Sequence, residues 1–175
     1  MFLLNTVVGG DLIATKEHIQ RTIVEGIVSA FNHLGIRIGD ACAYTSYLTR
    51  DLLKDKYNLD SCIVAGELIF PPEFPMIYRW NPPYEFHMWV KLNNDIIDIA
   101  AAGITQRNEF KPYGKYYKYK DVHFDIVWEE IPYDGRIYKE IKNGVNQIEA
   151  PITSSDYIKL YNYASGLIDK WNELR

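Results

Sequence analysis

The chain has 175 residues, 47% of them hydrophobic and 24% charged, which allows one globular domain with a sizeable core and excludes disorder, collagen-like repeats and coiled coil. Nineteen Lys and Arg against 23 Asp and Glu give a net charge of −4, so no nucleic-acid partner is expected. Two cysteines, Cys42 and Cys62, are too few for a disulfide scaffold and form no CxxC pair, so no structural zinc site or cofactor is expected.

Residues 1–8 are apolar but have no basic flank, and Gly9-Gly10-Asp11 follows too soon for a signal peptide or a membrane span. A cytoplasmic chain with no membrane partner is expected. Neither repeats nor a low-complexity linker divide the sequence, so residues 1–175 read as one domain.

Over residues 15–34, Ile19, Ile23, Ile27, Ala30 and Leu34 recur at helical spacing, with Thr15 as N-cap and Gly35 as stop. A second helix is expected from Asp40, acting as its cap, to Tyr57, which puts Cys42 in the first turn. Residues 61–70 read as a strand in which Cys62 alternates with Val64 and is expected in the core; the Pro-rich residues 71–83 read as a long loop. Residues 85–92 and 95–100 read as a hairpin, because Asn93-Asn94 tolerates the positive φ of a tight turn. Residues 122–131 and 136–141 read as a second strand pair across Asp134-Gly135. Residues 153–174 read as a helix opened by Thr153 and Asp156 as a capping box and striped by Tyr157, Leu160, Tyr161, Ala164, Leu167, Ile168 and Trp171. The order is α, α, a β-rich stretch, α, with an antiparallel sheet.

Cys42 is placed where helix-terminal N–H groups favour an anionic sulfur, the reactive form of a thiol. Strand alternation puts His87, Trp89 and Lys91 on one face and Phe86, Met88, Val90 and Leu92 on the other. With a two-residue turn, Leu92 faces Asp95 and Trp89 faces Asp98, so Asp98 becomes a diagonal neighbour of His87 on the same face while Asp95 points away. A three-residue turn would reverse this. Cys42, His87 and Asp98 then supply a nucleophile, a base and a group that fixes the base's tautomer.

Gly39-Asp40-Ala41-Cys42 opening a helix, then Val64-Ala65-Gly66, His87-Met88-Trp89-Val90 and Ile97-Asp98-Ile99, taken in order, resemble the transglutaminase-like core of the papain-like thiol enzymes. The resemblance spans about residues 39–100. It implies an α+β fold with the nucleophile helix packed on an antiparallel sheet and extra N- and C-terminal helices. It also implies Cys42 as nucleophile, His87 as general base and acid, and Asp98 as the residue that holds the imidazole. Asp98 is followed here by Ile99-Ala100, where Pro-Thr is common in the superfamily. The implied chemistry is acyl transfer or hydrolysis through a thioester, at peptide or Gln/Asn amide bonds of a protein or peptide substrate. Peptidase, deamidase and transglutaminase remain open, and a catalytically inactive scaffold that binds a protein partner is the alternative.

Trp89, beside His87, is expected to shield the pair from water or to pack the sheet. Tyr78 and Trp80 belong to the Pro-rich loop, which either borders a substrate cleft or covers a sheet edge. His18, His33 and His123 lack partners in sequence and are expected to be structural or exposed, so no metal site is expected. Residues 111–120 mix four lysines with four tyrosines and read as a solvated loop.

Overall fold

A computed structural model describes residues 14–174, so the reading of residues 1–8 lies outside the described residues. The chain is α+β. Among the described residues, three long helices, α1 (Lys16–Leu34), α2 (Cys42–Tyr57) and α3 (Ser155–Glu173), accompany a six-stranded sheet. Its strands are β1 (Cys62–Ile69), β2 (Ile77–Tyr78), β3 (His87–Leu92), β4 (Asp95–Asp98), β5 (Val127–Glu129) and β6 (Ile137–Glu140). The order is β2-β1-β3-β4-β5, β6 also pairs with β1, and every pairing is antiparallel.

The caps of α1 follow the sequence. The Thr15 side chain accepts from the His18 N–H, and Gly35 closes the helix at φ 66°, a left-handed conformation that costs glycine little. The other two helix starts differ from expectation. Asp40 does not cap α2: it ends a 3-10 turn (Ile38–Asp40), and Ala41 stands at the cap position with no side-chain hydrogen bond. The Asp40 carboxylate is drawn away by Arg37 at 2.8 Å and Arg107 at 3.6 Å. For α3 the cap is Ser154, whose Oγ accepts from the Tyr157 N–H at 3.1 Å, because Pro151–Thr153 is already committed to a 3-10 turn.

The Asn93-Asn94 turn is a two-residue turn: Leu92 faces Asp95 and Val90 faces Ile97, with Asn93 at φ 55°. The second expected strand pair does not form. β5 pairs with β4, whereas β6 pairs with β1. The link between β5 and β6 is tied by side chains instead. Buried Arg136 reaches Asp134 at 2.9 Å and the Asp125 carbonyl at 2.5 Å, and the Tyr133 hydroxyl donates to Asp125. Pro132, which has no N–H to give a ladder, lies in the same link.

The stripes of α1 and α3 and the apolar residues of α2 meet Met88, Val90 and Ile97 of the sheet in one core that includes Ile23, Ile27, Leu48, Leu52, Leu160 and Ile168. A second cluster joins Leu68, Phe70, Phe74, Tyr78, Ile104 and Phe110. The Pro-rich segment therefore turns its apolar side chains inward, and Ile77–Tyr78 adds a short strand against Leu68 and Ile69 where a loop is expected. Cys62 is exposed, not in the core, because it opens β1 at the strand's end.

Two glycines, one in the turn before Cys42 and one paired with His87, let backbone segments close directly on one another. A Cβ on Gly39 would lie 2.1 Å from the Gly103 carbonyl oxygen, so the turn before α2 packs directly on the 3-10 turn Ala100–Gln106. The Ile38 N–H to Gln106 Oε1, at 3.0 Å, fastens the same contact. A Cβ on Gly66 would lie 1.9 Å from the Lys139 carbonyl oxygen, so β6 reaches β1 only past a residue without a side chain.

Candidate active site

Cys42 is the first residue of α2, and no side chain caps that terminus. Its first-turn N–H groups are thus left without a side-chain acceptor, and the positive end of the helix lies at the thiol. Cys42 is half-buried and free.

His87 opens β3, where Gly66 pairs with it across β1. Its Nε2 lies 2.7 Å from Asp98 Oδ2, and the two residues are 1% and 2% exposed. The carboxylate is held at both oxygens: Oδ1 accepts from the Ala101 N–H at 3.2 Å, and Oδ2 accepts also from the Tyr138 hydroxyl at 2.7 Å. With Nε2 donating to an ionised Asp98, Nδ1 is the nitrogen left for chemistry, and it is buried without a partner in hydrogen-bond geometry.

Burial opposes the charge on His87 most strongly, yet the Asp98 charge and hydrogen bond, with the adjoining Cys42 side chain, raise its pKa from 6.5 to about 10. Burial likewise pushes the Asp98 carboxyl up, but the charge and hydrogen bond of His87, and then the bonds from Tyr138 and Ala101, hold it below its ordinary value. Both groups therefore favour the ion pair.

Aromatic rings wall the imidazole. Tyr78 stacks on it with centroids 5.0 Å apart and planes at 24°, and Trp89 lies at 6.2 Å and 21°. At 5% and 1% exposure, Tyr78 and Trp89 exclude water and present almost no surface to a ligand. The Tyr78 hydroxyl accepts from Arg107 at 2.9 Å, and Arg107 is paired with Glu109 at 2.7 Å. Burial raises the Tyr78 phenol well above its ordinary pKa, so it stays neutral beside the imidazole. Trp80 stands apart from this wall. Its backbone N–H goes to Glu67 Oε1 at 3.2 Å and its ring packs over Gly144.

The sequence places Cys42, His87, Asp98, Trp89 and Tyr78, all of which meet here, but gives no sign of Tyr138, Arg107 or Ala101. Each reaches the site by long-range pairing or through an irregular turn.

Two cavities share Tyr44 as a wall. One of about 260 Å³ is lined by Ile36, Arg37, Asp40, Ala41, Tyr44 and Asp156. The other, of about 430 Å³, is bordered by Ala43 and Phe86, the chain neighbours of Cys42 and His87, and by Ile148, Pro151 and Ser154.

Other sequence candidates lie elsewhere. His18 is buried with Nε2 2.7 Å from Asn172 Oδ1, His33 stacks on Tyr163 at 4.2 Å, and His123 is exposed outside the strands. Among the described residues no cluster of three or more His, Cys, Asp or Glu is arranged to hold a metal, and no helix is long and apolar enough to cross a membrane. Lys115, Lys118 and Lys120 lie over the rings of Tyr116, Tyr119 and Tyr117 within their own segment.

No family model and no curated protein matches the chain. A solved chain described as "The crystal structure of genomics APC5867" is similar, with a TM-score of 0.56 and 13% identity over 93% of this chain and 82% of that one. The likeness is one of fold.

Proposed function

We propose that the chain is a thiol-dependent hydrolase or acyltransferase with a transglutaminase-like, papain-like core, acting on peptide or Gln/Asn amide bonds of a protein or peptide substrate. The observation that carries this reading is the buried His87–Asp98 pair, bonded at 2.7 Å, with the unpartnered His87 Nδ1 and the adjoining Cys42 at an uncapped helix start. A merely structural histidine gains nothing from an orphaned ring nitrogen, since a buried polar atom without a partner costs free energy.

In this reading the Cys42 proton rests on His87 Nδ1, completing the imidazolium that pairs with Asp98, and the sulfur attacks the amide carbon as a thiolate. The carbonyl oxygen becomes an oxyanion facing the Cys42 N–H at the helix start. Collapse breaks the C–N bond, and the leaving nitrogen takes the proton from Nδ1. Water or an amine then gives its proton to the neutral His87 Nδ1 and attacks the thioester carbon, and the C–S bond breaks to release the Cys42 thiolate beside the re-formed imidazolium. Asp98 keeps Nε2 protonated throughout, so that Nδ1 alone exchanges protons. The cavity beside Ala43 and Phe86 is apolar for the most part, which suits an apolar substrate side chain next to the scissile amide.

The test is to incubate the full chain with pooled peptides containing Gln, Asn and varied backbone amides, quench with acid and locate acyl adducts by mass spectrometry. An adduct on Cys42 that hydroxylamine removes, absent in Cys42→Ser, supports the proposal. Absence of any adduct, together with no turnover in any pool, contradicts it.

A further inference from the structure

We propose that Tyr138 is a positioning residue of the same site, sharing Asp98 Oδ2 with His87 and so setting how strongly that carboxylate binds a proton. The proposal rests on the reading of Cys42, His87 and Asp98 as a working set, and it names a residue that lies outside that set.

Tyr138 lies 40 residues beyond Asp98 and is delivered by the pairing of β6 with β1, in which it faces Leu68. Its hydroxyl and His87 Nε2 each approach Oδ2 at 2.7 Å while the Ala101 N–H takes Oδ1, so both carboxylate oxygens are pinned. Packing alone does not require the hydroxyl. The ring meets Trp89 edge-on at 5.1 Å and 65°, a contact that phenylalanine would keep. A buried hydroxyl is retained at a cost unless it is bonded, and here its bond goes to the one group that orients His87. Burial first, and then the neighbouring carboxylate, raises the Tyr138 phenol well above its ordinary pKa, so it acts only as a donor.

A donor to a carboxylate stabilises the anion against protonation. Removing the hydroxyl therefore increases the proton affinity of Asp98, and the pH below which the ion pair collapses moves upward. The other charged or titratable groups that act on the pair are Cys42 from α2, Tyr78 from β2 with Arg107 bonded to it, and Arg136 ahead of β6 with its partner Asp134. Tyr138→Phe leaves all of them in place.

The experiment follows the His87-dependent alkylation of Cys42 by iodoacetamide against pH, with the Asp98 carboxyl carbon titrated in parallel by NMR, in the full-length chain. In Tyr138→Phe the acid-side midpoint of both curves is expected to rise by about one pH unit. A ring-difluorinated tyrosine at position 138, a better donor that keeps the packing, is expected to lower it. This second replacement decides the matter should Tyr138→Phe fold poorly. Curves that superimpose on wild type for both replacements overturn the proposal, even where Tyr138→Leu lowers Tm, since that outcome leaves the ring a packing role alone. If Cys42 alkylation proves indifferent to His87→Ala, the triad reading fails by itself, and the Asp98 titration still judges Tyr138.

Discussion

His87 Nε2 and Asp98 Oδ2 meet at 2.7 Å in a place that is almost wholly closed to water. Neither partner can be deleted without stranding the other. Asp98→Ala removes the carboxylate from His87, from the Tyr138 hydroxyl and from the Ala101 N–H together, and is expected to cost about 3–5 kcal/mol of stability. Urea unfolding measures it; a loss under about 1 kcal/mol would mean that the pair is not a coupled buried ion pair.

The same pair sets the pH dependence of stability, with opposite signs at the two ends. Asp98 is held below its ordinary 3.8, so its contribution is present above that value and is lost as pH falls through the lowered folded-state value. His87 is raised from 6.5 to about 10, so its contribution is complete below 6.5 and is lost as pH rises toward 10. Urea midpoints are therefore expected to be highest between these two ordinary values. Asp98→Asn should flatten the acid decline and His87→Gln the alkaline one. Unchanged slopes in both variants would contradict the assignment.

Gly39 lets the turn before Cys42 touch the turn after Asp98, since any Cβ there would meet the Gly103 carbonyl at 2.1 Å. The obstacle is backbone, which cannot swing aside as a side chain can. Gly39→Ala is expected to cost about 1–3 kcal/mol and to slow Cys42 alkylation by moving the helix start away from His87. A variant with wild-type Tm and wild-type labelling would show that this contact does not set the site.

The cap of α3 separates two adjacent residues. Ser154 Oγ accepts from the Tyr157 N–H, so Ser154→Ala is expected to cost about 1 kcal/mol, and Thr153→Ala no more than about 0.5 kcal/mol. Thermal melts of the two variants compare them directly, and the reverse order would return the cap to Thr153.

Where local chemistry decided the structure, the sequence was legible. Thr15 and Gly35 bound α1 because a side-chain acceptor and a left-handed residue act within one turn. Asn93-Asn94 fixed a two-residue turn, and that register alone brought Asp98 to the face of His87. Where distant groups compete, local signals misled. Asp40 has the chemistry of a cap but is taken by Arg37 and Arg107, the latter 67 positions away in sequence. Asp134-Gly135 has the chemistry of a hairpin turn, yet β6 leaves β5 for β1, where Gly66 gives it room. Tyr138 was invisible for the same reason: only that pairing delivers it to Asp98.

In the proposed mechanism His87 activates Cys42, and the chain carries its own reference in the exposed thiol of Cys62. The decisive measurement is the rate of iodoacetamide labelling at each cysteine, resolved by mass spectrometry over about pH 5 to 9, in wild type and in His87→Ala. Cys42 is expected to label at least tenfold faster than Cys62 near pH 6, roughly the gain that an activated thiolate provides there, and His87→Ala is expected to bring the two rates together. Labelling of Cys42 no faster than Cys62 at every pH, and unaltered by the His87 change, would contradict it.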